Sequence, residues 1–342
     1  MISYRTDENR STFDGPDFTG GLIVKILVLS SQLEEKHIAQ IRKTAEEVKA
    51  DLYFYGSEKD IPEENKDAEV IYGFATETAR TSRDLKWLCV PSAGVDYITK
   101  PDSFANPDAM LTNSAGAYGV TIAEHMIAVL LMMMRRITEF HKAAIEGRWI
   151  APMKQRSIKN SRITVLGTGD IGRQFAKRAA AFEPAVIRGV SRSGISKEDV
   201  FDEMYKVSDL DKLLPGTDVL AMSLPATAET ENILNKERLA LLPEGAYVVN
   251  VGRGSAVDED ALMEALESGH IAGAALDVFK TEPIPEGSRL WNTTNLLITP
   301  HVSGNLTLEV TKDRNVEMFC EDLKNYAAGK PLIHLVDRVR GY

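Results

Sequence analysis

Apolar and polar positions alternate along this chain in two distinct periods. Residues 24–29 (VKILVL) form a nearly continuous apolar run. That is the pattern of a strand buried on both faces of a parallel sheet. A helical stretch follows over 33–49, and further short apolar runs lie at 51–55, 69–72, 88–90 and 110–112. Such alternation predicts a doubly wound α/β domain. Residues 119–147 then read as one long helix with few breakers, too long for an ordinary crossover. It bridges to a second domain, and its apolar Met132, Met133 and Met134 suit packing on a partner subunit.

A second alternating pattern starts at Arg162, with strands expected over 162–166, 185–190, 217–223, 246–251, 271–278 and 296–299. Helices lie between them, such as 258–268, which Gly269 can stop. Six strands with intervening helices make a complete dinucleotide fold. A last helix over 306–328 returns the chain to the first domain. The expectation is an α/β protein of two Rossmann-like doubly wound parallel-sheet domains with a cleft between them. Residues 22–118 and 306–342 would form a substrate domain, 119–305 a dinucleotide domain, and 1–21 a flexible extension.

Composition narrows the classes. The 342 residues suit two domains, and 44% hydrophobic residues supply two cores. A net charge of −10 argues against nucleic acid as partner, because phosphate neutralisation needs clustered Lys and Arg. The two cysteines, Cys89 and Cys320, form no CxxC or Cys/His spacing, so neither a disulfide scaffold nor a metal site is expected. The polar N-terminal stretch lacks the pattern of a signal peptide. The most apolar run, 126–134, is too short to span a membrane. These features predict a cytoplasmic protein without a membrane partner.

The clearest chemical signal is strand, then Gly167-Thr168-Gly169-Asp170-Ile171-Gly172, then helix. Gly167 permits a tight turn, Gly169 lets backbone approach a pyrophosphate, and Gly172 lets helix and strand pack closely. The helix N-terminus offers free N–H groups and the positive end of its dipole. A plain glycine turn or an S-adenosylmethionine site would use a similar loop. The next strand ends at Ser191-Arg192-Ser193, where an NAD site usually carries an acidic residue for the ribose hydroxyl. A guanidinium between two hydroxyls suits a 2′-phosphate instead. The expected cofactor is therefore NADP(H), with NAD(H) possible.

Three residues follow strands of the second pattern, where open α/β sheets place ligands. Arg253, flanked by Gly252 and Gly254, can grip a carboxylate bidentately and polarise a neighbouring carbonyl. His301 follows Thr299-Pro300 and titrates in the range that suits proton transfer to a keto oxygen. Glu282 follows another strand and could orient an imidazole. Each alone has an ordinary structural reading; together they suggest a reaction.

Taken together, the chain resembles the D-isomer-specific 2-hydroxyacid dehydrogenases. The matching stretches are Ser92-Ala-Gly-Val-Asp96, the phosphate loop, Leu224-Pro225 with Thr230, 249–254 (VNVGRG), 274–279 (AALDVF) with Glu282-Pro283, and Thr299-Pro-His301. The Ser-Arg-Ser turn and the ending 336–342 further resemble the NADPH-dependent glyoxylate/hydroxypyruvate reductase branch. The resemblance implies His301 as acid/base, Glu282 as its partner and Arg253 as substrate clamp. It implies a carboxylate held by backbone N–H groups around Ala93, Gly94 and Val95, and a nicotinamide carboxamide contact at Asp277. Further cofactor contacts are implied at Leu224, Pro225, Thr230, Val251, Gly252, Ser303 and Gly304. One departure is Phe182-Glu183-Pro184, where the family usually has a glycine before the second strand.

The expected function is hydride transfer between NAD(P)H and a small 2-oxo or D-2-hydroxy acid, by a homodimer that needs no metal. The alternatives are a non-catalytic NAD(P)-sensing regulator on the same scaffold, or oxidation of formate or phosphite. A methyltransferase would leave the Arg/Glu/His set without a role.

Overall fold

The structure is a computed structural model that describes residues 24–100 and 102–338. The expected N-terminal extension and the last four residues lie outside the described residues. The chain divides into two compact units. The first holds residues 24–91, 102–112 and Asn315–Val336; the second holds Ser92–Lys100, Asn113–Arg314 and 337–338. The segment Ser92–Lys100, expected with the smaller unit, therefore groups with the larger one.

The first unit is built on β1 (Lys25–Leu29), α1 (Glu35–Glu47), β2 (Asp51–Tyr55), β3 (Val70–Tyr72), α2 (Thr76–Thr81), β4 (Trp87–Val90) and β5 (Met110–Asn113). Its sheet has the order β2-β1-β3-β4-β5. The central strands β1, β3 and β4 are apolar and buried, as a sheet covered on both faces requires. Helix α1 turns Ile41 and Ala45 to this core, and the chain returns late to add Val316, Phe319, Leu323 and Tyr326. Trp87 is fully buried between Phe319 and Tyr326, each ring centroid 5.4 Å away. Its indole N–H donates to Thr112 Oγ1 at 2.9 Å, which removes the cost of burying that donor.

The second unit opens with α3 (Gly119–Met134) and α4 (Ile137–Ile145). There follow β6 (Arg162–Leu166), α5 (Asp170–Ala180), β7 (Val186–Ser191), β8 (Glu203–Lys206), α6 (Leu210–Leu213), β9 (Val219–Met222), α7 (Lys236–Leu241), β10 (Ala246–Asn250), α8 (Glu259–Glu267), β11 (Ile271–Leu276) and β12 (Leu296–Ile298). The parallel sheet runs β12-β11-β10-β9-β6-β7-β8, so the chain reverses direction across the sheet between β6 and β9. Helix α8 begins where expected: Asp258 caps it by accepting from the Ala261 N–H at 3.2 Å. Gly269 follows its end at a φ of +79°.

Three expectations need correction. The sheet has seven strands, because Glu203–Lys206 adds an edge strand whose residues are half-buried or exposed and so carry no apolar run. The long helix is two helices, broken where Arg136 adopts φ 56° and ψ 34°. Neither Gly nor Pro marks that break, so the periodicity gave no warning. Met133 and Met134 are buried in the unit's own interior rather than presented to a partner. At the unusual Phe182-Glu183-Pro184, Glu183 itself takes φ 55°, the left-handed conformation that glycine would adopt without strain. The fold absorbs the departure at one residue.

Candidate functional site

The phosphate loop joins β6 to α5 through three glycines with different constraints. Gly167 has a φ of +103°, and a Cβ there would lie 2.8 Å from the Ser223 carbonyl oxygen. A Cβ on Gly172 would fall 2.0 Å from the Gly167 oxygen, so helix and strand pack backbone to backbone. A Cβ on Gly169 would meet nothing within 4 Å, which leaves this backbone open to a ligand. The first N–H groups of α5 have no side-chain cap and lack intrahelical acceptors by geometry. These residues fit a pyrophosphate.

At the end of β7, Ser191 Oγ accepts from the Gly194 N–H at 3.0 Å and donates to the Ile195 carbonyl at 3.2 Å. Ser193 Oγ accepts from the Ile195 N–H at 3.3 Å. These bonds curl the turn and leave Arg192 exposed at its tip. Arg192 contributes to holding the Glu229 carboxyl below its usual range, after that residue's own backbone and Thr227. Thr230 Oγ1 donates to the Pro225 carbonyl at 2.7 Å, which fixes the loop after β9.

Arg253, Glu282 and His301 follow β10, β11 and β12, three adjacent strands. Asn250, fully buried at the end of β10, shapes the first turn: its amide donates to the Arg253 carbonyl and its oxygen accepts from the Gly252 N–H. The flanking glycines do not clear space around the arginine. They admit other backbone: a Cβ on Gly252 would fall 2.5 Å from Leu224 N, and one on Gly254 1.9 Å from Phe279 C. The Arg253 guanidinium instead lies against Gly94, where a Cβ would fall 1.5 Å from Nη2. Asp96 Oδ1 accepts from Arg253 Nε at 3.0 Å and Nη2 at 2.7 Å, while Nη1 donates to the Gly252 carbonyl at 2.8 Å.

His301 Nδ1 sits 2.7 Å from Glu282 Oε2. The second Glu282 oxygen accepts from the Phe279 N–H at 2.8 Å, which fixes the carboxylate. With Nδ1 so engaged, Nε2 has no hydrogen-bond partner among the described residues, and the side chain is 49% exposed. The histidine backbone has a φ of +53°. Asp277, 2% exposed, anchors that strained turn. Its carbonyl accepts from the His301 N–H, and its carboxylate accepts from Thr299 Oγ1 at 2.6 Å and the Val302 and Ser303 N–H groups at 2.9 and 3.0 Å. His125 Nε2 lies 3.2 Å from Thr299 Oγ1. Because Thr299 donates to Asp277, the network assigns the His125 proton to Nε2. Burial pulls the His125 pKa down, and the charge of Asp277 partly opposes this.

Around the expected carboxylate contact, Ser92 Oγ donates to the Gly94 carbonyl and Asn113 Nδ2 to the Ala93 carbonyl. The N–H groups of Ala93, Gly94 and Val95 donate to no group among the described residues. Sequence reasoning missed Asp96, Thr299 and His125. Asp96 and Thr299 lay inside the quoted motifs and His125 in the apolar helix α3, but no spacing rule marks such partners. No cluster of metal-ligating side chains occurs among the described residues.

Two parallel α/β units, one with a glycine phosphate loop at a strand–helix junction, define a Rossmann-type dinucleotide-binding protein. Residues 127–303 match the family described as D-isomer specific 2-hydroxyacid dehydrogenase, NAD binding domain. The chain belongs to this family, and it is accordingly an NAD(P)-binding oxidoreductase of the D-2-hydroxyacid dehydrogenase type. It is 32% identical to a glyoxylate reductase of Thermofilum pendens over 252 residues, 72% of this chain and 73% of that protein. It is 33% identical to glyoxylate/hydroxypyruvate reductase A of Klebsiella pneumoniae over 268 residues, 76% and 83% of the two chains. Among solved structures, a D-isomer specific 2-hydroxyacid dehydrogenase from Xanthobacter autotrophicus Py2, in complex with NADPH and MES, superposes with a TM-score of 0.76. It is 29% identical, and the match covers 94% of this chain and 100% of that one. The reductase branch anticipated from the motifs is the one to which both named relatives belong.

Proposed function

We propose that the protein reduces a small 2-oxo acid of the glyoxylate or hydroxypyruvate kind to the 2-hydroxy acid, with NADPH preferred over NADH. The carrying observation is the Glu282–His301 pair at 2.7 Å, with Nε2 unengaged, two strands from Arg253. Protonated His301 gives a proton from Nε2 to the substrate oxygen, while Glu282 holds Nδ1–H and orients the ring. Arg253 steadies negative charge as it develops on that oxygen. The N–H groups of Ala93, Gly94 and Val95 receive the substrate carboxylate, as converging backbone donors can. When bound, the reduced nicotinamide supplies the hydride.

The second unit takes the cofactor role, since its sheet carries the phosphate loop. Preference for the 2′-phosphate is supported by Arg192 between two serines, with no acidic residue at that strand end. A 340 nm assay of 2-oxo acids with each cofactor tests the reading. Turnover confined to NADH refutes the preference, and no turnover with any 2-oxo acid refutes the reaction and favours a cofactor-sensing role.

We further propose a homodimer. Support comes from Ile137, Ile145 and Trp149, which are exposed on and just after α4, Trp149 completely so. Light scattering that shows a monomer at micromolar concentration refutes it. A cytosolic location is proposed on the two buried thiols, Cys89 being pushed up to about 12 by burial. Recovery in a secreted fraction refutes it.

A further inference from the structure

The Arg253 clamp is not a bare positive charge. A guanidinium has five N–H groups in a fixed planar fork. Asp96 takes the Nε edge, accepting from Nε at 3.0 Å and Nη2 at 2.7 Å, and the Gly252 carbonyl takes one proton of Nη1 at 2.8 Å. One proton remains on each terminal nitrogen, and that of Nη2 lies on the end edge of the fork. Gly94 lets the guanidinium approach its backbone, because any Cβ there would occupy the place of Nη2. The Asp96 side chain is 49% exposed, and its second oxygen accepts no hydrogen bond among the described residues.

We propose that Asp96 is a positioning and specificity-determining residue that aims the end edge of Arg253 at the substrate and selects monoanionic over dianionic 2-oxo acids. The proposal rests on Arg253 being the substrate clamp. Two consequences follow from the pair. The ion pair has no net charge, so it holds an oxygen by the direction of two N–H groups rather than by long-range attraction. The second oxygen of Asp96 is exposed, so a substrate whose second negative group lies beside it is repelled by a like charge. Glyoxylate and hydroxypyruvate carry one charge; oxaloacetate and 2-oxoglutarate carry two.

The test uses the full chain with NADPH and four proteins: wild type, Asp96→Asn, Asp96→Ala and Arg253→Ala. Each is assayed for kcat and KM on glyoxylate and oxaloacetate, with NADPH binding followed by fluorescence as a measure of folding. Asparagine keeps an acceptor for the Nε edge and loses the charge. Asp96→Asn should raise the oxaloacetate-to-glyoxylate ratio of kcat/KM by about tenfold or more. Asp96→Ala frees the guanidinium and should lower kcat on glyoxylate by about tenfold or more with NADPH binding intact. An unchanged ratio in Asp96→Asn, or wild-type kcat in Asp96→Ala, overturns the proposal. If Arg253→Ala keeps a wild-type KM and kcat on glyoxylate, the clamp assignment itself fails. If Arg253→Ala is crippled while both Asp96 variants match wild type, only the present inference fails.

Discussion

Removing the Asp277 carboxylate should disable proton transfer without touching His301 itself. The His301 turn stands at positive φ, a conformation that costs a non-glycine residue about 1–2 kcal/mol and needs support from its surroundings. Asp277 gives that support through charge-assisted bonds to the Val302 and Ser303 N–H groups. Bonds to charged groups are worth about 1.5–3 kcal/mol when buried, and less where solvent can replace them. Ser303 is buried and Val302 is partly exposed, so the two together contribute about 2–5 kcal/mol. If the turn relaxes by that amount, the fraction of enzyme with His301 aimed correctly falls, and kcat drops between about 30-fold and about 5,000-fold. Asp277→Ala should fall in this range, with its urea midpoint lowered. Asp277→Asn should fall less, because one oxygen still accepts while its amide faces an N–H donor. Stopped-flow turnover at saturating NADPH, beside the NADPH Kd, is the assay. A kcat within about threefold of wild type in Asp277→Ala refutes the anchoring argument. A loss confined to the cofactor Kd shows instead that Asp277 acts only on the cofactor.

Further predictions follow from the same geometry. His301→Ala should leave the NADPH Kd within about twofold and lower kcat by about 100- to 10,000-fold, the usual worth of a positioned proton donor; near-normal turnover would contradict its role. Gly172→Ala places a Cβ 2.0 Å from the Gly167 oxygen, so NADPH binding should be lost or the Tm should fall, as titration calorimetry and a thermal melt would show. Arg192→Ala should raise the KM for NADPH by about tenfold while leaving that for NADH nearly unchanged; equal effects on both would remove Arg192 from the cofactor site. Burial depresses the folded-state pKa of His125 below its ordinary 6.5, so the unfolded chain binds the extra proton first. The associated stability is present above 6.5 and is lost as pH falls through the depressed value. Urea unfolding of His125→Gln should therefore show a shallower fall in stability below pH 6.5 than wild type, and an identical slope would exclude His125 as its source.

Sequence alone determined the features that rest on local periodicity and backbone chemistry. Continuous apolar runs such as 24–29 marked buried parallel strands because both faces of such a sheet are covered. The Gly167–Gly172 loop was legible because each glycine answers a local steric demand. Asp258 and Gly269 marked the ends of α8 because caps satisfy backbone groups within one turn. The edge strand Glu203–Lys206 was not legible, since an exposed edge has no need of apolar residues. The break at Arg136 was hidden because no helix-breaking residue marks it: Arg136 itself takes the left-handed conformation. The site divides along the same line. Arg253, Glu282 and His301 announced themselves by residue type after strands. Asp96 on Arg253, Thr299 on Asp277 and His125 on Thr299 are joined across 157, 22 and 174 positions of chain. Only the folded sheet brings such groups within hydrogen-bond distance. Residue chemistry thus singled out Arg253 and His301, while tertiary structure decided which N–H groups of Arg253 are engaged and what holds the His301 turn in place.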